Sequence, residues 1–458
     1  MTAAQAANGN FRPGTYRLSL VSPVVTEHFL VTSRRASAYR ARQGEAAAKL
    51  QKAVKDSYDV LIPETPHEPP AASRGDHSRP VGWTDFGGQP RTPYAFLRLA
   101  ARDCSDRFEK DGLTARCVGR WYNIHDFGAL VFCWTFDIDA PEGASTRALR
   151  SFADWLADVA LPDKVSEEAR DITERVNKAL PAMTDKRVRD QIEHLDDATE
   201  WDFKPVSVHR VWNFDPQETP EGGFAALRPL VEVSTADGFQ PVEVGPGALA
   251  YAGYMNSVLV ASGEARERYS PVPLIAYYGY AYATMLLLDE RLFFASERFL
   301  SKTTNSNGGT LKGAKARQMR ERLNIFRDMT TFFLHRHHDE LGVIKPFERQ
   351  LWSQLMSSWR FEALATDLEH KRDFLNEIYD QAAQRAQERL AMITNVVFGV
   401  LTSLTLISVI GDLAWFFRGD VGETLVDNEP WRWIWAGSAL AATGLGVMIV
   451  YLTRSKNM

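Results

Sequence analysis

Cysteine is scarce in this chain of 458 residues: Cys104, Cys117 and Cys133 are the only three, with no CxxC pair and no histidine at zinc-finger spacing. That excludes a disulfide framework and the common structural zinc sites, and it fits a reducing compartment. A basic surplus is also missing. Lys and Arg number 53 against 58 Asp and Glu, for a net charge of -5, so nucleic acid is not expected as a partner. The first thirty residues lack a basic start followed by an unbroken apolar run, so they do not read as a secretory signal, and a cytosolic N-terminus is expected. There is no internal repeat, no GxxxxGK[ST] phosphate loop, and no Ser-His-Asp or Cys-His arrangement assignable from spacing. Nothing calls for catalysis or for a required cofactor, and no enzyme is expected.

Two long uncharged runs are present, Ala391–Gly411 and Trp433–Thr453, each of 21 residues and each able to cross a bilayer as a helix. A third stretch, Leu274–Leu288, has only 15 uncharged residues and carries Tyr277, Tyr278, Tyr280 and Tyr282, which marks a buried helix of the soluble part. Lys371, Arg372, Arg385 and Arg389 precede the first span and Arg454 and Lys456 follow the second, while the connector holds only Arg418 and Arg432. This bias places both chain ends in the cytoplasm and the chain in the inner, plasma membrane. The expected order is a first transmembrane helix over 391–417, an outer acidic loop over 418–432, a second helix over 433–453 and a tail over 454–458.

Residues 1–312 read as a cytosolic α/β domain. Strand-like TYRLSLVSPVV precedes helical ASAYRARQGEAAAKLQKAV, and 61–93, with seven of the 22 prolines, reads as a loop insertion. Two apolar strand-like runs follow, LTARCVGRWYN and GALVFCWTFDID, then charged helical text from Ser145 to about Asp197, then VSVHRVWNF and RPLVEVST. A helical stalk is expected over 313–390. Its first part is a charged helix from Ala314 to Asp339, and Pro346 marks a second start, because proline is tolerated in a first turn. No breaker follows before the end of the first span, so one continuous helix of about 70 residues, roughly 105 Å, is predicted. Leu364, Leu368, Leu375, Ile378 and Ala382, interrupted by Lys371, form a seam for another helix.

At about 100° per residue, Thr394, Thr405, Ser408 and Asp412 share one narrow sector of the first span with Phe398 and Leu401. Val396, Val400, Ile407 and Ile410 lie opposite. Ser and Thr are common in membrane helices, where they bond back to their own carbonyls, and an Asp can simply mark the interface. Against that, a carboxylate close to a span is costly unless it meets water or a partner. A stripe facing an aqueous pathway meets that need, and since one hairpin cannot enclose a pathway, it calls for an oligomer.

With LTSLTLISVIGDL (401–413) closing the first span and EPWRWIWAGSALAATGLGVMIVYLTRSK (429–456) forming the second, the last 110 residues or so resemble the CorA-type magnesium transporter superfamily. The resemblance implies a homopentamer whose first span lines the pore and whose cargo is Mg²⁺ or another divalent cation, transported or regulatory. Gly411, Asp412 and Leu413 stand where the family has Gly-Met-Asn at its outer mouth; only Gly411 matches, which leaves the ion unassigned. On this reading an Asp412 ring would bind the cation, Thr405 and Ser408 would pass it inward, and Phe398 with Leu401 would form a dewetting gate. An alternative from another class is a signal-gated pore that depolarises the cell in antiviral defence, opened by a small anionic messenger such as a nucleotide. A membrane-anchored scaffold without conduction is a third.

Three further groups carry candidate chemistry. His335, with His338 or Asp339, could share a helix face and bind a transition metal, or be solvated histidines at a helix end. Lys312, Lys315, Arg317 and Arg320 gather beside the glycine-containing loop 301–310 and could hold the anionic messenger. Asp137, Asp139 and Glu142 read as a solvated surface or, by the resemblance, as cation-sensing acids.

Overall fold

The structure, a computed structural model, describes residues 11, 13–29, 36–62, 95–125, 127–180, 203–220, 223–231, 240–304, six positions between 324 and 334, and 346–418. Two compact units divide the chain: Met1–Leu292 with Asn324–His370, and Phe293–Leu323 with Lys371–Met458.

The first unit is built on a ten-stranded sheet. Its strands are β1 (Gly14–Phe29), β2 (Tyr58–Leu61), β3 (Leu97–Ala101), β4 (Arg107–Lys110), β5 (Leu113–Ile124), β6 (Phe127–Ala140), β7 (His209–Phe214), β8 (Val242–Gly245), β9 (Ala248–Ala252) and β10 (Asn256–Val260). They lie in the order β2-β3-β5-β6-β1-β7-β10-β9-β8, with β4 beside β5. All pairs are antiparallel except β7 with β10, which run parallel from Asn256↔Arg210 to Val260↔Phe214.

Period-two alternation sorts the strand residues onto two faces. Tyr16, Leu18, Leu20 and Val24 of β1 point to the same side as Phe132, Trp134, Phe136 and Ile138 of β6 and Trp212 and Phe214 of β7. Three helices close this face: α1 (Ala36–Val54), α2 (Thr146–Trp155, extended by a π-turn over Leu156–Ala160) and α3 (Pro162–Ala179). Ser145 caps α2 by accepting the Ala148 N–H at 3.1 Å, and Pro162 opens α3, where its missing N–H costs no helical bond. Leu50 and Val54 of α1 and Val165, Ala169, Ile172 and Val176 of α3 recur at steps of three and four and fill the core. In β5 a bulge between Cys117 and Gly119 shifts the register, so Ala115 and Cys117 face this core before it and Tyr122 and Ile124 after it.

The other face is covered by α6 (Val272–Thr304), which follows the short helices α4 (Arg228–Val231) and α5 (Gly263–Arg268). Gly279 lets α6 approach closely, since an added Cβ would sit 3.3 Å from Pro23 Cγ. At the next residue, Tyr280, the His125 ring stacks on the phenol ring at 3.8 Å. Residues 272–288 of α6 are largely buried, as expected of a core helix.

Within RPLVEVST, Arg228–Val231 form a helical turn. One sequence expectation needs correction. The continuous helix from Pro346 is broken: α7 (Pro346–Trp359) stops at Arg360, whose φ of 52° is left-handed, and α8 (Phe361–Arg418) begins anew. In an unbroken helix residues 359 and 361 point about 200° apart and could not enter one wall together. With Arg360 left-handed both are buried, and both meet Tyr278, Trp359 at 5.3 Å and Phe361 at 5.1 Å between ring centroids. Burying two large rings offsets the roughly 1–2 kcal/mol that a left-handed residue costs.

Candidate functional site

Among the described residues two helical stretches are long and apolar enough to cross a membrane, Gly263–Phe294 and Ala391–Val409. The first is mostly buried. The second, in the second unit, has none of its window buried. Ile393 is 61% exposed, Phe398 64% and Leu406 61%, and these three lie on different sides of α8. A helix that exposes large apolar side chains on several sides suits a lipid or protein environment better than water.

Helix α8 is unbroken from Phe361 to Arg418, so the spacing that aligns Thr394, Phe398, Leu401, Thr405, Ser408 and Asp412 holds along it. Gly411, Asp412 and Leu413 are still helical, within two turns of its last residue. Within 391–409 only Val396 and Ile407 are half-buried, and both lie opposite the stripe. Thr394, Phe398, Leu401, Thr405 and Ser408 are all exposed. The hydroxyls bond backwards: Thr405 Oγ1 donates to the carbonyls of Leu401 at 2.8 Å and Thr402 at 2.9 Å, Thr402 to Phe398, and Ser403 to Gly399. Back-bonding satisfies each hydroxyl proton inside the helix and leaves oxygen lone pairs outward, so Thr405 can still offer an oxygen to a passing cation. The sequence placed Val396 and Ile407 opposite the stripe, but nothing in their residue type signals their partial cover.

Of the seam on α8, Leu368 and Leu375 are buried and Leu364 is half-buried. Asp137 and Asp139 are engaged locally, by Arg17 at 3.1 Å and by Arg116 at 3.1 Å, which supports their reading as surface acids. His335, His338 and Asp339, the cations Lys312, Lys315, Arg317 and Arg320, the Pro-rich segment, the acidic loop, the second span and the tail lie outside the described residues. Among the described residues no cluster of three metal-ligating side chains occurs.

At the α7–α8 joint, sequence spacing gave no warning of an aromatic box. Trp359 is ringed by Tyr254, Tyr278, Tyr282 and His209, at 5.2, 5.3, 4.9 and 6.0 Å between centroids. His209 Nε2 shares a 2.8 Å hydrogen bond with Ser257 Oγ. Burial, aided by neighbouring Arg210, pushes the His209 imidazole down to about 3 from an ordinary 6.5. A base held neutral in the fold contributes stability above its unfolded pKa and loses it as pH falls toward the folded value. Unfolding by urea should therefore show stability falling between about pH 6.5 and 3, and His209→Gln should flatten that limb; an unchanged slope would remove His209 from the acid response.

No protein family, curated protein or solved structure matches the chain, so the reading of this helix rests on its own residues.

Proposed function

We propose that the chain forms a CorA-like oligomeric membrane channel or transporter for cations, divalent ones first among them. The observation that carries this is the exposed apolar segment 391–409 of α8 with one polar stripe and with its partial cover on the opposite side. In this reading the ten-stranded unit and both termini lie in the cytoplasm, and α8 rises from a stalk into the inner membrane. Trp433–Thr453 returns as the second helix of a hairpin. Copies of the chain, five by the resemblance, turn their stripes inward, since an isolated stripe ending in a carboxylate is costly in lipid. Asp412 gathers cations at the outer mouth, Thr405 and Ser408 replace part of their hydration shell, and Phe398 with Leu401 close the path by excluding water.

Purified protein in liposomes, assayed for Mg²⁺, Co²⁺, Zn²⁺ and K⁺ flux, is the test. Flux from a closed oligomer is expected; a stable monomer in detergent, or an oligomer silent to all four ions, would overturn the proposal.

A second reading is favoured by the size of the sheet unit, far more than a membrane anchor needs. Here the pore is a signal-gated effector, silent until an anionic messenger binds the cytosolic unit. Liposomes that stay silent alone but conduct when nucleotides are added would select it.

A further inference from the structure

The chain between β3 and β4 lies as a strap across β5. Extending the register Arg107↔Arg116 by one residue sets Asp106 beside Cys117, and the Cys117 N–H donates to the Asp106 carbonyl at 2.9 Å. Three residues earlier the Asp103 carbonyl accepts from Arg120 Nη2 at 2.7 Å. The Asp106 carboxylate is held by Arg120 Nη1 at 3.1 Å and Lys164 Nζ at 2.6 Å. The strap is thus pinned at both ends over Cys117–Arg120, and Cys104 lies between the pins. Cys104 is half-buried and packs against the same core that Cys117 enters.

We propose that Cys104 and Cys117 form a reversible redox pair that closes to a disulfide when the chain meets a peroxide. The two thiols already act on each other electrostatically. Burial, its largest influence, with Cys104 beside it, pushes the Cys117 thiol up to about 12, against the opposing pull of the Arg120 cation. The difference in exposure assigns the order of events, since the sulfur that solvent reaches is the one a peroxide meets first. Cys104, the more exposed of the two, attacks hydrogen peroxide first: its sulfur takes one oxygen, the O–O bond breaks, and water leaves with a sulfenic acid behind. Cys117 then attacks that sulfur, the S–S bond forms, and the sulfenic oxygen departs as a second water. Two thiol hydrogens and one peroxide become two waters, the thiols losing two electrons and the peroxide gaining them. A dithiol reverses the change by exchange. The Cys104 side chain also hydrogen-bonds that of Cys117, so the two sulfurs already face each other beneath the strap.

Cys133 is an internal control. It is fully buried on the opposite face of the sheet, where burial raises its thiol against the opposing pull of the Arg98 cation. The pair does not depend on whether the chain conducts ions.

The experiment treats the full chain in detergent with hydrogen peroxide, blocks remaining thiols with iodoacetamide under denaturing conditions, and maps peptides by mass spectrometry. A Cys104–Cys117 cross-linked peptide lacking two hydrogens is expected, lost on addition of dithiothreitol, with Cys133 alkylated throughout. Cys117→Ser should remove the cross-link and leave Cys104 as a sulfenic acid that dimedone traps. Wild-type protein in which Cys117 stays fully alkylatable after peroxide, whether Cys104 is untouched, over-oxidised or joined to a second copy, would overturn the pairing without reliance on any variant.

Discussion

Asp412→Leu is expected to cut cation flux through the reconstituted protein by roughly tenfold or more, since losing only about 1.4 kcal/mol of ion binding lowers occupancy tenfold. Carboxylates gathered at one level of an oligomer repel one another, and a divalent ion relieves that repulsion where a neutral side chain has nothing to relieve. Asp412→Asn keeps the volume and the oxygen but not the charge. It should preserve assembly, weaken divalent block and shift preference toward monovalent ions. A residue that merely marks the membrane boundary predicts neither change, because a headgroup-level position is readily replaced. Equal flux and equal divalent block in both variants, at equal expression and assembly, would place the conduction site elsewhere.

The second large effect belongs to the sheet. Arg120 is 15% exposed and bridges Asp106 at 3.1 Å and Glu168 at 2.8 Å, while Glu168 also accepts the Tyr122 hydroxyl proton. Burial raises the Glu168 carboxyl, and the Tyr122 hydrogen bond and the Arg120 charge oppose the rise. Arg120→Ala strands that carboxylate and frees the strap carbonyl of Asp103, so a loss of about 3–5 kcal/mol in unfolding free energy is expected. The sign of the pH dependence is fixed as well. With its cation gone, Glu168 has a folded pKa further above the unfolded value, so the deficit shrinks as pH falls and the carboxyl protonates in the fold. Arg120→Met combined with Glu168→Leu should cost less than Arg120→Ala alone, because no charge is left unpaired. Urea titrations at two pH values read both effects, and a deficit under about 1 kcal/mol would show the network to be solvent-screened.

How far these features could be read from the residues varies along the chain. Helix α1 matches the text ASAYRARQGEAAAKLQKAV residue for residue, and β5 and β6 match their apolar runs within two residues. Strands β8, β9 and β10 escaped because each has only four or five residues and GPGALAYAGYM reads as turn chemistry. The break at Arg360 escaped because Trp-Arg-Phe holds no glycine or proline; its cause is tertiary, two rings competing for one wall. Of the candidate site, the stripe was legible from spacing alone, since a straight helix needs only its period. Which side of that helix carries cover was not, because cover depends on neighbours far along the chain.

The place of β1 also has a consequence for biosynthesis. It is central in the sheet, yet its partners, β6 and β7, begin at Phe127 and His209, so they leave the ribosome long after it. At about 5–20 residues per second, β1 waits roughly 10–40 s for its second neighbour. Over that interval a long apolar strand is without a ladder, open to holdase chaperones and to pairing with other nascent chains. Synthesis of the exposed apolar segment 391–409 follows only after all ten strands exist, so the sheet can be complete before that segment emerges.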